Sequence, residues 1–203
     1  MAKPSAAQKR ELLDAISMGG IIRPDVHPRT LAVMEREGWV EERATSGFYK
    51  HAMFVTLSGR EAVGMLPEGD KPEVTPAGEV IVYRIEDGDG FGPYNNYPMD
   101  FKRNKIIREL CKIHASPTTH PAGQLDGITS DNGFTTDHYF GFINKASLAR
   151  WFTGWGERLA EAGFFVSTFA VRSEDILHGR KQIAFAKGRA RYLGTSPVAD
   201  YIA

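Results

Sequence analysis

The 203-residue sequence contains a single cysteine, Cys111, and no excess of charge of either sign. One cysteine excludes an internal disulfide framework and a cysteine-rich zinc site, and it is typical of a reducing compartment. Lysine plus arginine and aspartate plus glutamate each total 25, so the formal net charge is zero. Any binding to nucleic acid or to an anionic membrane must therefore come from a local patch.

The sequence also lacks long apolar runs. No segment approaches the roughly 18 uninterrupted apolar residues that a membrane span needs, and the N-terminus has no signal-peptide core. These absences predict a soluble cytoplasmic protein with no membrane partner. P-loop, dinucleotide-binding glycine fingerprint and nucleophile-elbow motifs are absent as well.

The N-terminal quarter begins with two helix signals. Ser5 is a candidate N-cap for a helix over residues 5–16. Pro28 suits the first turn of a second helix, and Gly38 stands where a left-handed C-terminal cap is expected. Both helices are short and amphipathic, as expected for a small helical unit.

A hairpin and a third helix follow. Residues 39–43 and 48–57 predict two strands joined by a polar turn, and Ser58 and Glu61 have the spacing of a capping box that opens a helix through residue 66. The predicted order is helix, helix, hairpin, helix.

Two segments, residues 29–40 and 54–62, closely resemble the recognition helix, wing and closing segment of winged helix-turn-helix domains. The resemblance implies a winged helix over residues 1–66 and duplex DNA as a partner, because in that family the helix before the wing enters the major groove. Use of the same module for dimerisation or protein contact stays open, since Glu35 and Glu37 offset the neighbouring arginines. The implied nucleic-acid-binding residues are His27, Arg29, Thr30, Arg36, Lys50 and His51.

Residues 67–78 hold three prolines and two glycines without apolar periodicity, which predicts a linker. The remaining residues, 79–203, are interpreted as a ligand- or partner-binding domain with a mostly antiparallel sheet, so the chain as a whole is predicted to be α+β. The predicted elements are strands 80–86, 139–143, 164–171 and 181–186, a helix capped by Asp100, a helix from Asn144 to about Gly163, and a polar turn over 172–180.

The strand at 80–86 carries Arg84 into a glycine-rich acidic loop, which is a common location for binding or catalytic groups. A calcium loop starting at Asp87 is excluded, because its twelfth position is Pro98. His114, His120 and His138 match no zinc-ligand spacing, so no metal site is predicted. Cys111 is interpreted as a buried structural thiol.

Three segments loosely resemble the core of ADP-ribosyltransferases. They are Tyr83-Arg84 at a strand end, residues 139–142 before a helix, and residues 182–185 on a late strand. They also resemble a set of phage and prophage proteins, which brings no activity. The transferase resemblance implies that Arg84 binds a dinucleotide and that Tyr139 or Phe140 stacks on nicotinamide, with Gln182 in place of the usual acid. Glu174 and Asp175 are alternative acids, and pairing of Arg84 with Glu86 is the structural alternative.

Three functional hypotheses follow. The first is a nucleic-acid-associated binding or regulatory protein of phage or mobile-element type, with a C-terminal ligand- or partner-binding domain. The second is an ADP-ribosyltransferase-like enzyme that modifies a host target, with Arg84, Tyr139 and Gln182 in its site. The third is a non-enzymatic inhibitor of a host defence complex, with a host protein as its partner. No cofactor and no oligomeric state follow from the sequence.

Overall fold

Helices and antiparallel sheets are both present, so the predicted α+β class is confirmed. No helix within the described ranges is long and apolar enough to cross a bilayer. The structure is a computed structural model that describes residues 3–17, 21–44, 51–63, 71–94, 101–116 and 119–202.

The N-terminal unit, residues 3–63, packs three helices and a hairpin around a small core. Leu12, Met34 and Trp39 are all at most 2% exposed in this core. The order of elements agrees with the sequence prediction, whereas the winged-helix assignment stays a prediction. The elements are α1 (Ala6–Ser17), α2 (Pro28–Arg36), β1 (Val40–Ala44), β2 (His51–Val55) and α3 (Leu57–Ala62).

Local signals position α2. The His27 side chain accepts the Arg29 N–H at 3.2 Å, which caps the helix, and Pro28 occupies its first turn. Gly38 follows the helix with φ of +69°, a left-handed conformation that favours glycine. The helix therefore begins and ends close to the predicted residues.

The second unit, residues 71–202, contains two three-stranded antiparallel sheets. They meet at the bridge between Tyr83 and Phe142 and share an apolar core. The first sheet has the order β3 (Val80–Glu86), β5 (Phe165–Val171), β8 (Arg191–Pro197). The second has the order β4 (His138–Gly141), β7 (Ile183–Ala186), β6 (Ile176–His178).

Three helices cover the sheets: α4 (Phe101–Ile113), α5 (Lys145–Trp151) and α6 (Gly156–Glu161). Asn144 caps α5 as predicted, since its Oδ1 accepts the Ser147 N–H at 2.8 Å. The prediction of one helix up to Gly163 was wrong, because Gly154 adopts φ of +77° and breaks it in two. Trp151 and Leu159 stay buried on either side of the break.

Part of the predicted linker is hydrogen-bonded to the second unit. The Glu73 N–H donates to the Ile143 carbonyl at 3.1 Å, and the Glu73 carboxylate accepts the Tyr83 hydroxyl proton at 2.5 Å. Val74 forms a bridge to Val80. The earlier part of the predicted linker, residues 67–70, lies outside the described residues, and the domain boundary stays a prediction.

A buried arginine joins the two units. Arg60 on α3 is 4% exposed, and its Nη2 donates to the His178 carbonyl at 3.0 Å. Burial lowers the pKa of Arg60 to about 10, and the nearby Asp126 carboxylate opposes that shift. A buried guanidinium is costly without compensation, so its hydrogen bond to the His178 carbonyl and the charge of the nearby Asp126 hold α3 against the second unit.

A cluster of aromatic and imidazole rings fastens the loop after β3 to α5. The Tyr94 hydroxyl accepts the Trp151 Nε1 proton at 2.6 Å and is hydrogen-bonded to His114 Nδ1 at 2.7 Å. The His120 ring stacks on His114, with centroids 3.7 Å apart, and its Nε2 donates to the Trp151 carbonyl. Burial, together with His120, lowers the pKa of His114 to about 4.

Replacing Arg60 by alanine is expected to destabilise the protein by about 2–4 kcal/mol, because it empties a buried site and removes the hydrogen bond to the His178 carbonyl. Urea unfolding followed by tryptophan fluorescence measures the loss. The matched control is Arg36→Ala, which removes an exposed arginine paired with Glu37 and is expected to cost at most about 1 kcal/mol. Equal losses in the two variants would contradict the docking role of Arg60.

Lowering the pH from about 6.5 to about 4 is expected to destabilise the fold through His114. The unfolded chain takes up a proton near the ordinary histidine pKa of about 6.5, whereas the folded chain resists protonation of His114 down to about pH 4. Stability therefore falls as the pH falls across this window, by at most about 3 kcal/mol. Unfolding free energies measured at several pH values for the natural protein and for His114→Gln should converge at acid pH, and parallel curves would show that His114 has no part in the pH dependence.

Candidate functional site

Arg84 is held in a buried ion cluster. It is 8% exposed, its Nε donates to Glu86 Oε2 at 2.9 Å, and its Nη1 donates to the Phe140 carbonyl at 2.7 Å. Lys187 Nζ donates to the same Glu86 oxygen at 2.7 Å. Burial lowers the pKa of Arg84, and Glu86 opposes the shift. The structural alternative, pairing of Arg84 with Glu86, is what the structure shows.

The glycine-rich loop closes over this cluster. Asp87 Oδ1 accepts the N–H groups of Asp89 and Phe91, both at 2.9 Å, which fixes the turn. A Cβ at Gly92 would lie 3.0 Å from Arg84 Nη2. The loop therefore covers the guanidinium, and glycine permits the close approach.

Tyr139 lies beside Arg84. The Arg84 Cζ is 5.0 Å from the centre of the Tyr139 ring, and Lys187 Nζ is 5.3 Å from it. Both cations therefore interact with the aromatic ring. The geometry joins two of the three residues that the transferase resemblance implied.

Gln182 lies elsewhere. Its Nε2 donates to the Pro121 carbonyl at 3.0 Å, and the residue is 9% exposed. Tyr139 pairs with Phe185, which lies three residues after Gln182. Three residues span about 10 Å along a strand. The structure thus brings Arg84 and Tyr139 together and directs Gln182 into the loop that begins near residue 121.

That loop is anchored by a buried carboxylate. Asp126 is 1% exposed and accepts the backbone N–H groups of Arg180, Lys181 and Gln182 at 3.0–3.2 Å. Burial raises the pKa of Asp126, and these donors oppose the shift. A Cβ at Gly179 would lie 2.2 Å from Asp126 Oδ2, so only glycine fits there. We call this arrangement the Asp126 cradle.

A cleft of about 1000 Å³ opens at one end of the β4–β7–β6 sheet. Tyr139 lines it from β4, and Lys187 lines it from the turn after β7. Glu42 on β1 also lines it, so the N-terminal unit contributes to one wall. The volume lies at the upper end of the range for small-molecule sites.

Two arginines in the cleft are held by one carboxylate. The Asp175 side chain is 4% exposed and accepts from Arg172 Nη2 at 2.7 Å and from Arg189 Nη1 at 3.1 Å. Both arginine side chains are more than half exposed. Asp175 therefore pre-orients two guanidinium groups at the cleft, where planar donors bind carboxylate or phosphate well. Asp175, which the sequence offered as an alternative catalytic acid, therefore already forms ion pairs with both arginines.

His138 is the titratable ring of the cleft. Its Nδ1 accepts the Thr135 N–H at 3.2 Å, so the neutral ring carries its proton on Nε2. Burial lowers the pKa of His138, and Asp137 opposes the shift. The ring is thus held as a neutral hydrogen-bond donor.

The charges of the cleft are mixed. Its cations are Arg172, Lys187 and Arg189, and its carboxylates are Glu42, Asp137, Glu174 and Asp175. Without an excess of positive charge, the cleft is poorly suited to a diphosphate and better suited to a ligand that offers both acceptor and donor groups. The sequence pointed to Glu174 and Asp175 as alternative acids but not to the cations beside them, because Arg172, Lys187 and Arg189 lie on separate turns and share no spacing motif.

The nucleic-acid-binding candidates lie on α2 and the hairpin. His27, Arg29 and Arg36 are exposed, and Thr30 is half-buried. Arg36 is paired with Glu37 at 3.2 Å. Lys50 and the side chain of His51 lie outside the described residues.

The remaining histidines do not form a ligand set. His114 and His120 stack face to face. Among the residues whose positions are described, no group of three His, Cys, Asp or Glu side chains is arranged to hold a metal ion. Cys111 lies on α4 and is partly buried against the core, and burial raises the pKa of its thiol.

Replacing Glu86 by glutamine is expected to cost about 3–5 kcal/mol, because Arg84 and Lys187 would lose the only carboxylate to which the described structure pairs them. Thermal unfolding measures the loss. Glu79→Gln on the same stretch of chain is the control, since it breaks an exposed pair with Arg191 and is expected to cost at most about 1 kcal/mol. A Glu86 variant as stable as the control would show that the buried cluster does not hold the two sheets together.

Comparison with known proteins relates the second unit to a protein family. A search of the curated proteins and a search of the solved structures each returned no match. A family model described as Bacteriophage T4 Y00F protein matches residues 75–199, which is more than half of the chain and includes the Glu86 cluster, the Asp126 cradle and most of the cleft. The chain therefore belongs to the bacteriophage T4 Y00F protein family and is a phage-type protein.

Proposed function

We propose that this phage-type protein binds duplex DNA through its N-terminal unit and a ligand or partner in the cleft of its second unit, and so acts as a nucleic-acid-associated regulatory protein. The observation that carries the proposal is the exposed face of α2. Arg29 and Arg36 lie two turns apart on this face, with the small, exposed Ala32 between them. A small residue between two cations permits a close approach to a phosphate backbone.

The arrangement of the N-terminal unit supports this proposal. Helix α2 precedes the hairpin, as the recognition helix precedes the wing in the domains that the sequence resembles. His27 lies at the N-terminus of α2, where backbone N–H groups and the helix dipole favour an anion. Glu35 is exposed beside Arg36 and reduces the attraction, so the expected affinity is modest and strongly dependent on salt.

The cleft supports a role for the second unit in binding. It combines pre-oriented guanidinium groups, a fixed neutral imidazole and carboxylates within one concave surface. Glu42 brings the hairpin of the N-terminal unit to its edge, so that a bound ligand would contact both units. A ligand that contacts both units can alter DNA binding, which is the basis for a regulatory role.

The transferase alternative gains little from the geometry. Arg84 is buried and donates to Glu86 and Phe140, which leaves it poorly placed to grip a dinucleotide phosphate. Gln182 donates to Pro121, away from Tyr139. We therefore do not propose an ADP-ribosyltransferase activity.

The double variant Arg29→Ala/Arg36→Ala is expected to weaken duplex DNA binding, because two phosphate-contacting cations are lost. In mobility-shift titrations over a range of salt concentrations, the slope of log K against log salt should fall by about 0.9 for each lost contact. Arg10→Ala on α1 is the control, since Arg10 is equally exposed but lies outside the α2 face. Absent binding, or binding that does not depend on salt, would reject the proposal.

A further inference from the structure

A second basic surface lies on α4, in the second unit. Lys105, Arg108 and Lys112 are exposed and follow one another at i, i+3 and i+7, so they share one face of the helix. We call these three residues the α4 basic stripe. With a rise of about 1.5 Å per residue, the stripe is about 10 Å long.

The stripe is held rigidly. The opposite face of α4 buries Ile106, Ile107 and Leu110, each at most 5% exposed, in the main core of the second unit. The helix therefore cannot roll without exposing these side chains. The backbone that carries the three cations is therefore fixed, and only their side chains must be ordered when they engage a partner.

The stripe lacks ion-pair partners within the described part of the chain. Most of the arginines described elsewhere are paired with carboxylates, among them Arg23, Arg84, Arg172 and Arg191. By contrast, no described carboxylate lies within ion-pair distance of Lys105, Arg108 or Lys112.

The acidic groups closest to the stripe are limited in effect. Glu109 lies on α4 and feels the charge of Lys105, but its carboxylate is bonded to Arg158 of α6 at 2.5 Å. Glu157 and Glu161 are exposed on α6, which packs against α4. Arg158 offsets Glu109, so the stripe remains a local positive surface on a chain with no net charge.

We infer that the α4 basic stripe is a second nucleic-acid contact, which binds the phosphate backbone of a DNA duplex without reading its sequence. Duplex DNA carries one negative charge per about 1.7 Å of its axis, so a 10 Å stripe faces about six phosphate charges. Lysine and arginine on one rigid helix face suit such a contact. This contact is independent of the α2 face and extends the proposed function to the second unit.

A duplex fits the stripe better than a membrane surface does. Peripheral membrane helices insert an apolar face beneath their cations. The apolar face of α4 is already buried in the protein core, and of its described apolar side chains only Ile113, at the end of the helix, is strongly exposed. The stripe therefore offers charge without an insertable surface.

The test uses the full-length protein with Lys105→Gln/Arg108→Gln/Lys112→Gln. Glutamine is a good helix former, so α4 is expected to persist, and circular dichroism with a thermal melt checks this. The matched control, Lys145→Gln/Lys181→Gln/Arg191→Gln, removes the same three charges from exposed positions elsewhere in the second unit. A short mixed-sequence duplex, a second duplex of unrelated sequence and vesicles of phosphatidylserine with phosphatidylcholine are the probes.

The stripe variant is expected to lose about tenfold or more in affinity for both duplexes, with a salt slope lower by about 2–3, while the control binds as the natural protein does. Equal affinities for the stripe variant and the control overturn the inference, as does a loss confined to vesicle binding or the absence of duplex binding by the natural protein at low salt. Comparison with Arg29→Ala/Arg36→Ala separates the two contacts. If only Arg29→Ala/Arg36→Ala loses DNA affinity, the α2 proposal holds and the stripe inference fails. If only the stripe variant loses DNA affinity, the stripe inference holds and the α2 proposal fails.

Discussion

The second unit depends on the buried carboxylate of Glu86, which lies between Arg84 and Lys187. Glu86 and Arg84 belong to β3, Lys187 follows β7, and Arg84 also reaches the carbonyl of Phe140 on β4. One carboxylate thus connects the two sheets through charge-assisted hydrogen bonds in a dry environment, where such bonds are strong and incomplete networks are costly. The position of Tyr139 beside these cations, and with it one wall of the cleft, follows from this connection.

The polar groups of the cleft share a design suited to recognition. Asp175 orients two arginines and Thr135 orients His138, so each donor is fixed by a partner within the protein. Similar internal pairing explains why Arg84, the arginine most prominent in the sequence, is structural. Burial decides the difference, because a cation inside the core needs its partner, whereas the half-exposed arginines of the cleft keep donors available to a ligand.

Features of the fold that depend on neighbouring residues could be predicted from the sequence. Features that depend on contacts between distant residues could not. The caps at Asn144 and Gly38 and the apolar strand at 80–86 depend on neighbours in sequence, and the structure has them as expected. Strands β6 and β8 were missed, because charged residues flank β6 and the side chains of β8 are mostly exposed, so neither alternates clearly. Gln182 was placed beside Arg84 by analogy, although its partners, Pro121 and Asp126, lie more than fifty residues away. The Arg172–Asp175–Arg189 set depends on the same kind of distant contact, which spacing alone does not reveal.

The Asp126 cradle bears on how the two units of the chain relate to each other in evolution. The carboxylate and its three backbone donors all lie within residues 75–199, the segment shared with the phage family, whereas Arg60 lies outside it. The second unit thus contains a complete anchor for its own long loop, and the electric field of that anchor also attracts a guanidinium from α3. Both groups of the second unit that act on Arg60, the Asp126 carboxylate and the His178 carbonyl, lie in that segment, so on this side the junction uses a carboxylate that already anchors a loop.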